Sequence, residues 1–140
     1  MDSRVIWKRD MAFDAQLEGL SFSIDADEKF GGTGQGPKPK GLTLTSVAGC
    51  TAMDVIAILK KMRVTVDGFS VEAKGSLAEE HPITFTKIVL EYYFLGEDLP
   101  VAKLRRAVEL SQTRYCGVIA TLRPSVAIEG QIYLNGDALD

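Results

Sequence analysis

Residues 42–63, "LTLTSVAGCTAMDVIAILKKMR", constrain this chain more than any other stretch. At the standard rise they predict a helix about 33 Å long. Leu44, Val47, Ala48, Met53, Val55, Ile56, Ile58 and Leu59 leave it almost no polar face. A helix apolar nearly all round is buried on most sides. With 140 residues the chain is expected to form a single domain, 1–140, with a real core but little to spare. Covering surface for such a helix is then hard to find within one chain, and an intimate homodimer is expected. A membrane span is not: the most apolar run, Leu44 to Leu59, is 16 residues interrupted by Thr, Ser, Gly and Asp, short of the roughly 18 to 20 required.

The opening residues, "MDSRVIWKRDM", show no apolar core of a signal peptide, so a cytoplasmic location is the expectation. A net charge of −3 argues against nucleic acid as a partner. The most basic patch, Lys60-Lys61-Met62-Arg63, falls where cations complement a helix C-terminus.

Around that helix the pattern is mostly extended. "RVIWKRD" and "MAFDAQL" read as a first strand and the start of a second, and Glu18-Gly19 as a turn into "LSFSID". "GGTGQGPKPKG", residues 31–41, holds five glycines and two prolines and reads as a mobile connector. It lacks the spacing of a phosphate-binding loop. After Asp67-Gly68, "FSVEAKGSL" and "TFTKIVLEYYFL" predict an antiparallel pair joined by "AEEHPI". Pro100 opens a second helix, "VAKLRRAVELSQ"; "YCGVIATL" reads as a short helix or turn, and "SVAIEGQIYL" as the closing strand. The order implies an α+β domain with helices on one side of antiparallel sheets.

Reactive groups are few. The one histidine, His81, precedes Pro82 in a hairpin connection and reads as an exposed loop residue. One histidine and two distant cysteines offer no zinc spacing, so neither a metal site nor a cofactor is expected. No G-x-S-x-G elbow occurs. Cys50 and Cys116 remain. Free cysteine is often plain core, but Ala48, Gly49, Thr51 and Ala52 are small enough to leave space around Cys50, and Gly117 follows Cys116. A thiol peroxidase needs such a pair: one thiolate becomes a sulfenic acid and the second thiol condenses with it to a disulfide. Core filler and redox pair both stay open on these residues alone. Asp54, one turn after Cys50, is the only charge between Leu44 and Leu59. An acid beside a thiol disfavours the thiolate unless a cation intervenes.

"PKGLTLTSVAGCTAMDV", residues 39–55, resembles the central-helix motif of the OsmC/Ohr family, in which a P-x-E segment leads into an apolar helix bearing the reactive cysteine. "RAVELSQTRYCGV", residues 106–118, resembles its second cysteine motif, and "HPITFTKI", residues 81–88, a strand lead-in of the YhfA-like branch. The resemblance runs from about Phe30 to the C-terminus. It implies antiparallel sheets wrapped around two buried central helices in an intertwined homodimer. It also implies reduction of organic hydroperoxides, with Cys50 peroxidatic, Cys116 resolving and a dithiol as reductant. In the best-studied branches an arginine from the N-terminal strands and the P-x-E glutamate flank the thiolate. Here Arg9, and less closely Arg4, lies in the arginine region, while Gly41 occupies the glutamate position. A replacement carboxylate, such as Glu109, would have to come from elsewhere. The missing glutamate motivates an alternative: a dimeric module that binds an apolar small molecule with little or no turnover.

Overall fold

A computed structural model describes all residues, Met1–Asp140. The chain forms two compact units, Met1–Thr43 and Leu44–Asp140.

The first unit is a three-stranded antiparallel sheet in the order β1 (Ser3–Arg9), β2 (Ala12–Leu17) and β3 (Leu20–Ile24). Glu18 and Gly19, both at positive φ, make the predicted turn between β2 and β3. The stretch expected to be a mobile connector is instead tied down by one carboxylate. Asp25, 3% exposed, accepts from the backbone N–H groups of Ala26, Thr33 and Gln35 at 2.8, 3.0 and 3.0 Å. The Asp25 N–H in turn donates to the Pro37 carbonyl at 3.1 Å. Gly36 allows that closure, because a Cβ there would fall 2.0 Å from the Ser23 carbonyl oxygen.

The second unit carries the sheet β4 (Gly68–Leu77), β5 (Phe85–Leu95), β6 (Ala127–Leu134) and β7 (Asp137–Leu139), in that order. β4 and β5 are the antiparallel pair read from sequence. Two expectations change. β6 is not the last strand, since it turns back through Asn135-Gly136 into β7. β5 and β6 are parallel, so the sheet is mixed rather than antiparallel. Parallel neighbours need a long crossover, and residues 96–126 supply it through α2 (Val101–Leu110), a π turn (Ser111–Tyr115) and α3 (Gly117–Leu122).

The long helix, α1, spans Pro39–Lys61, so it starts three residues before the predicted Leu42. Pro39 fits a first turn, where no intrahelical N–H is needed. Its last turn closes as a Schellman motif: Val64 N–H donates to the Leu59 carbonyl and Arg63 N–H to that of Lys60, with Arg63 at φ 59°. Val47, Thr51, Val55 and Leu59, four apart, form its buried stripe. They pack with Ile88, Leu90, Tyr92 and Phe94, alternate residues on one face of β5, and with Leu104, Ala107 and Val108 of α2. Within one chain, however, α1 is not buried on most sides. Met53 is 75% and Ile56 41% exposed. Its most apolar 18 residues have a mean hydropathy of 1.8 and are only 22% buried, so at 23 residues it reaches the length and composition of a membrane span. The expectation that it falls short is not met. The packed stripe places it in a core on one side, and an uncovered apolar face remains on the other.

Candidate functional site

Cys50 and Asp54 are four apart on α1 and therefore project from one face, beside the buried stripe. Cys116 reaches them from the crossover. The π turn ends with its N–H donating to the Ser111 carbonyl at 2.9 Å, an i to i+5 closure. Cys116 then leaves the helical region (φ −70°, ψ 104°) and caps α3, its sulfur accepting from the Ile119 N–H at 3.5 Å. Such bulges concentrate at functional sites. Cys50 Sγ, Cys116 Sγ and an Asp54 carboxylate oxygen all lie within 4.8 Å of one another. Both cysteines are free; Cys50 is half-buried, whereas Cys116 is 3% exposed.

Burial pushes the Cys116 thiol up to about 11; the Ile119 N–H opposes the rise and Cys50 adds to it. At neutral pH Cys116 is therefore a protonated thiol.

Beneath the sulfurs runs a buried polar line that sequence reasoning missed. Thr51, Tyr92 and Ser111 are fully buried. Thr51 Oγ1 lies 2.9 Å from Tyr92 Oη and 2.7 Å from Ser111 Oγ. Ser111 Oγ donates to Asp54 Oδ2 at 3.1 Å, and Gln112 Nε2 donates to Tyr92 Oη at 3.1 Å. Each hydroxyl has one hydrogen and an ionised carboxylate can only accept, which fixes the direction. Gln112 donates to Tyr92, Tyr92 to Thr51, Thr51 to Ser111, and Ser111 to Asp54. Gly130 makes room for this line, because a Cβ there would fall 2.1 Å from Gln112 Nε2. No buried side-chain polar atom is left without a partner. Nothing in the sequence marks these residues: Tyr92 reads as a strand aromatic and Thr51 as a small helix residue.

Ala48, Gly49 and Ala52, with Leu44, Thr45, Val71 and Ala73, line a groove of about 390 Å³, and an added Cβ at Gly49 would meet no atom within 4 Å. Cys116 is enclosed despite Gly117.

Residues 32–130 match the family model described as "OsmC-like protein". Protein YhfA of Escherichia coli strain K12 is 35% identical over 130 residues, 91% of this chain and 93% of YhfA. The chain belongs to the OsmC-like family. Its fold superposes on a hypothetical protein from Aquifex aeolicus VF5 (TM-score 0.81, 26% identity, 96% of each chain). It also matches an organic hydroperoxide resistance protein OsmC from Legionella pneumophila (TM-score 0.72, 14% identity, 94% of this chain and 95% of that one). The matched segment of this OsmC-like chain contains both cysteines, Asp54 and the whole hydroxyl line.

Arg9 lies outside that segment, exposed at the end of β1 where the pairing with β2 is irregular. Arg4 is also exposed on β1. Glu109, considered as a replacement carboxylate, is exposed on α2 and paired to Arg106 at 2.9 Å. His81 is exposed between β4 and β5, as expected. Gly41 sits in the first turn of α1, where an added Cβ would meet no atom within 4 Å.

Proposed function

We propose that this OsmC-like chain is a thiol-dependent peroxidase for organic hydroperoxides. The observation that carries the reading is the approach of the two sulfurs to within 4.8 Å, one half-exposed and one buried. Cys50, the accessible thiol, attacks a peroxide oxygen as the thiolate. The O–O bond breaks, the alcohol leaves with a proton, and Cys50 becomes a sulfenic acid. Cys116, protonated and enclosed, is poorly suited to meet the peroxide and well placed for the second step. Its sulfur displaces the sulfenic hydroxyl, the thiol proton leaves with that hydroxyl as water, and a disulfide forms. A dithiol of unassigned identity then returns both electrons. By the resemblance of its position, Arg9 is carried over as the arginine that stabilises charge on the leaving oxygen.

The functional form is a homodimer in which a second copy covers the face of α1 bearing Met53 and Ile56. An uncovered apolar helix face of this size is the support for it. The second reading, a binding module without turnover, is favoured by Gly41 at the family's glutamate position.

Stopped-flow mixing of the reduced protein with cumene hydroperoxide separates the two. The peroxidase reading expects rapid peroxide loss, abolished in Cys50→Ser. In Cys116→Ser it expects a sulfenic acid that accumulates and is trapped by dimedone. Arg9→Ala slows the first step at least about tenfold if Arg9 supplies its electrostatic assistance. Peroxide loss as fast in Cys50→Ser as in the wild type would sink the reading.

A further inference from the structure

Two thiols and a carboxylate are also a set of metal ligands. The absence of a metal site was expected because the cysteines are 66 positions apart (116 minus 50), and the fold removes that separation. In a tetrahedral zinc site, Zn–S distances near 2.3 Å and Zn–O distances near 2.1 Å put ligand atoms roughly 3.5–3.8 Å apart. The three donor atoms are within 4.8 Å of one another, so a closure of at most about 1.3 Å brings them onto one ion. Two sulfurs with one oxygen suit a borderline-soft divalent ion such as zinc, not magnesium or calcium, which select oxygen.

The hydroxyl line is an independent observation that points the same way. Ligating carboxylates are characteristically held by outer hydrogen bonds that fix their orientation. Here four successive donors, from Gln112 through Tyr92 and Thr51 to Ser111, terminate on Asp54. The ion pairs of Lys8, Lys38, Lys74, Lys87 and Arg106 go to carboxylates other than Asp54. A carboxylate has about four lone-pair positions, and accepting from Ser111 leaves capacity for an ion.

We propose that the reduced site binds one zinc-class divalent ion through Cys50 Sγ, Cys116 Sγ and an Asp54 carboxylate oxygen, with the fourth position open. Both thiols release their protons to solvent on binding, and the ion takes their place. Ion and disulfide exclude each other, because both use the same two sulfurs. The consequence that a loaded site is closed to peroxide rests on the peroxidase reading; the binding itself does not.

The test is a cobalt(II) titration of the full-length, reduced protein under anaerobic conditions, with no peroxide present. The proposal expects one ion per chain and tetrahedral d–d bands. It also expects a sulfur-to-cobalt charge-transfer band that zinc(II) abolishes by displacement. Cys50→Ser loses about half of that band, and Asp54→Asn binds at least about tenfold more weakly with unchanged circular dichroism. A wild-type protein without the charge-transfer band at saturating cobalt overturns the proposal, whether or not the variants fold. So does Asp54→Asn binding as tightly as wild type. Because no peroxide enters the titration, its failure leaves the peroxidase reading standing. Failure of the peroxide experiment likewise leaves metal binding standing.

Discussion

Asp54 and Asp25 are used by the fold in opposite ways. Asp54 receives one directed bond from a line of side-chain hydroxyls and faces two sulfurs. Asp25 receives backbone N–H groups and organises a loop. Bonds from Gln35, then Thr33, hold the Asp25 carboxyl below the usual range. A depressed pKa stabilises the fold above the unfolded value, near 3.8, and that contribution is lost as pH falls through the folded value. Asp25→Asn is therefore expected to lower Tm at pH 7, with the gap from wild type closing as pH drops below about 4. Thermal melts from pH 3 to 7 check this, and a gap constant across that range would contradict it. The loop was read as mobile because glycine and proline density reports local freedom, not a single carboxylate reaching across it. At Cys50 and Cys116 the motifs were legible through their resemblance to a family. The partners of Asp54 were not, because Thr51, Tyr92 and Ser111 become polar partners only when the crossover brings Ser111 against α1.

At the scale of elements, α1 shows where sequence periodicity informs and where it stops. Its existence and apolarity were legible, and so was the alternation in β5 that buries Ile88, Leu90, Tyr92 and Phe94. The parallel pairing of β5 with β6 was not, since a 31-residue crossover (96–126) separates partners whose local pattern is the same in either direction. The π turn was also hidden: residues 111–115 have ordinary helical composition, and only the positions of Ser111 and Cys116 require the extra residue. The C-terminus of α1 carries its own test. Arg63 adopts the left-handed conformation that glycine favours at this position of a Schellman motif. Relief of that strain should make Arg63→Gly more stable, by up to about 1 kcal/mol. Urea unfolding measures it, and a loss of stability would show that the arginine side chain contributes more than its backbone costs.

For the molecule as a whole, the uncovered face of α1 is the feature that one chain cannot explain. A helix of this hydropathy with Met53 and Ile56 in solvent is covered, on our reading, by a second copy. Analytical ultracentrifugation should give twice the 15.2 kDa of one chain, and Met53→Lys should weaken association at least about tenfold by burying an unpaired charge. A wild-type protein that sediments as a single chain at micromolar concentration would contradict the dimer. The redox cycle is the larger claim, and its product can be observed directly. Reduced protein treated with one equivalent of cumene hydroperoxide, alkylated and digested without reductant, should yield by mass spectrometry one cross-linked peptide pair joining Cys50 to Cys116. Recovery of both cysteines as alkylated thiols, with the peroxide unconsumed, would contradict the account.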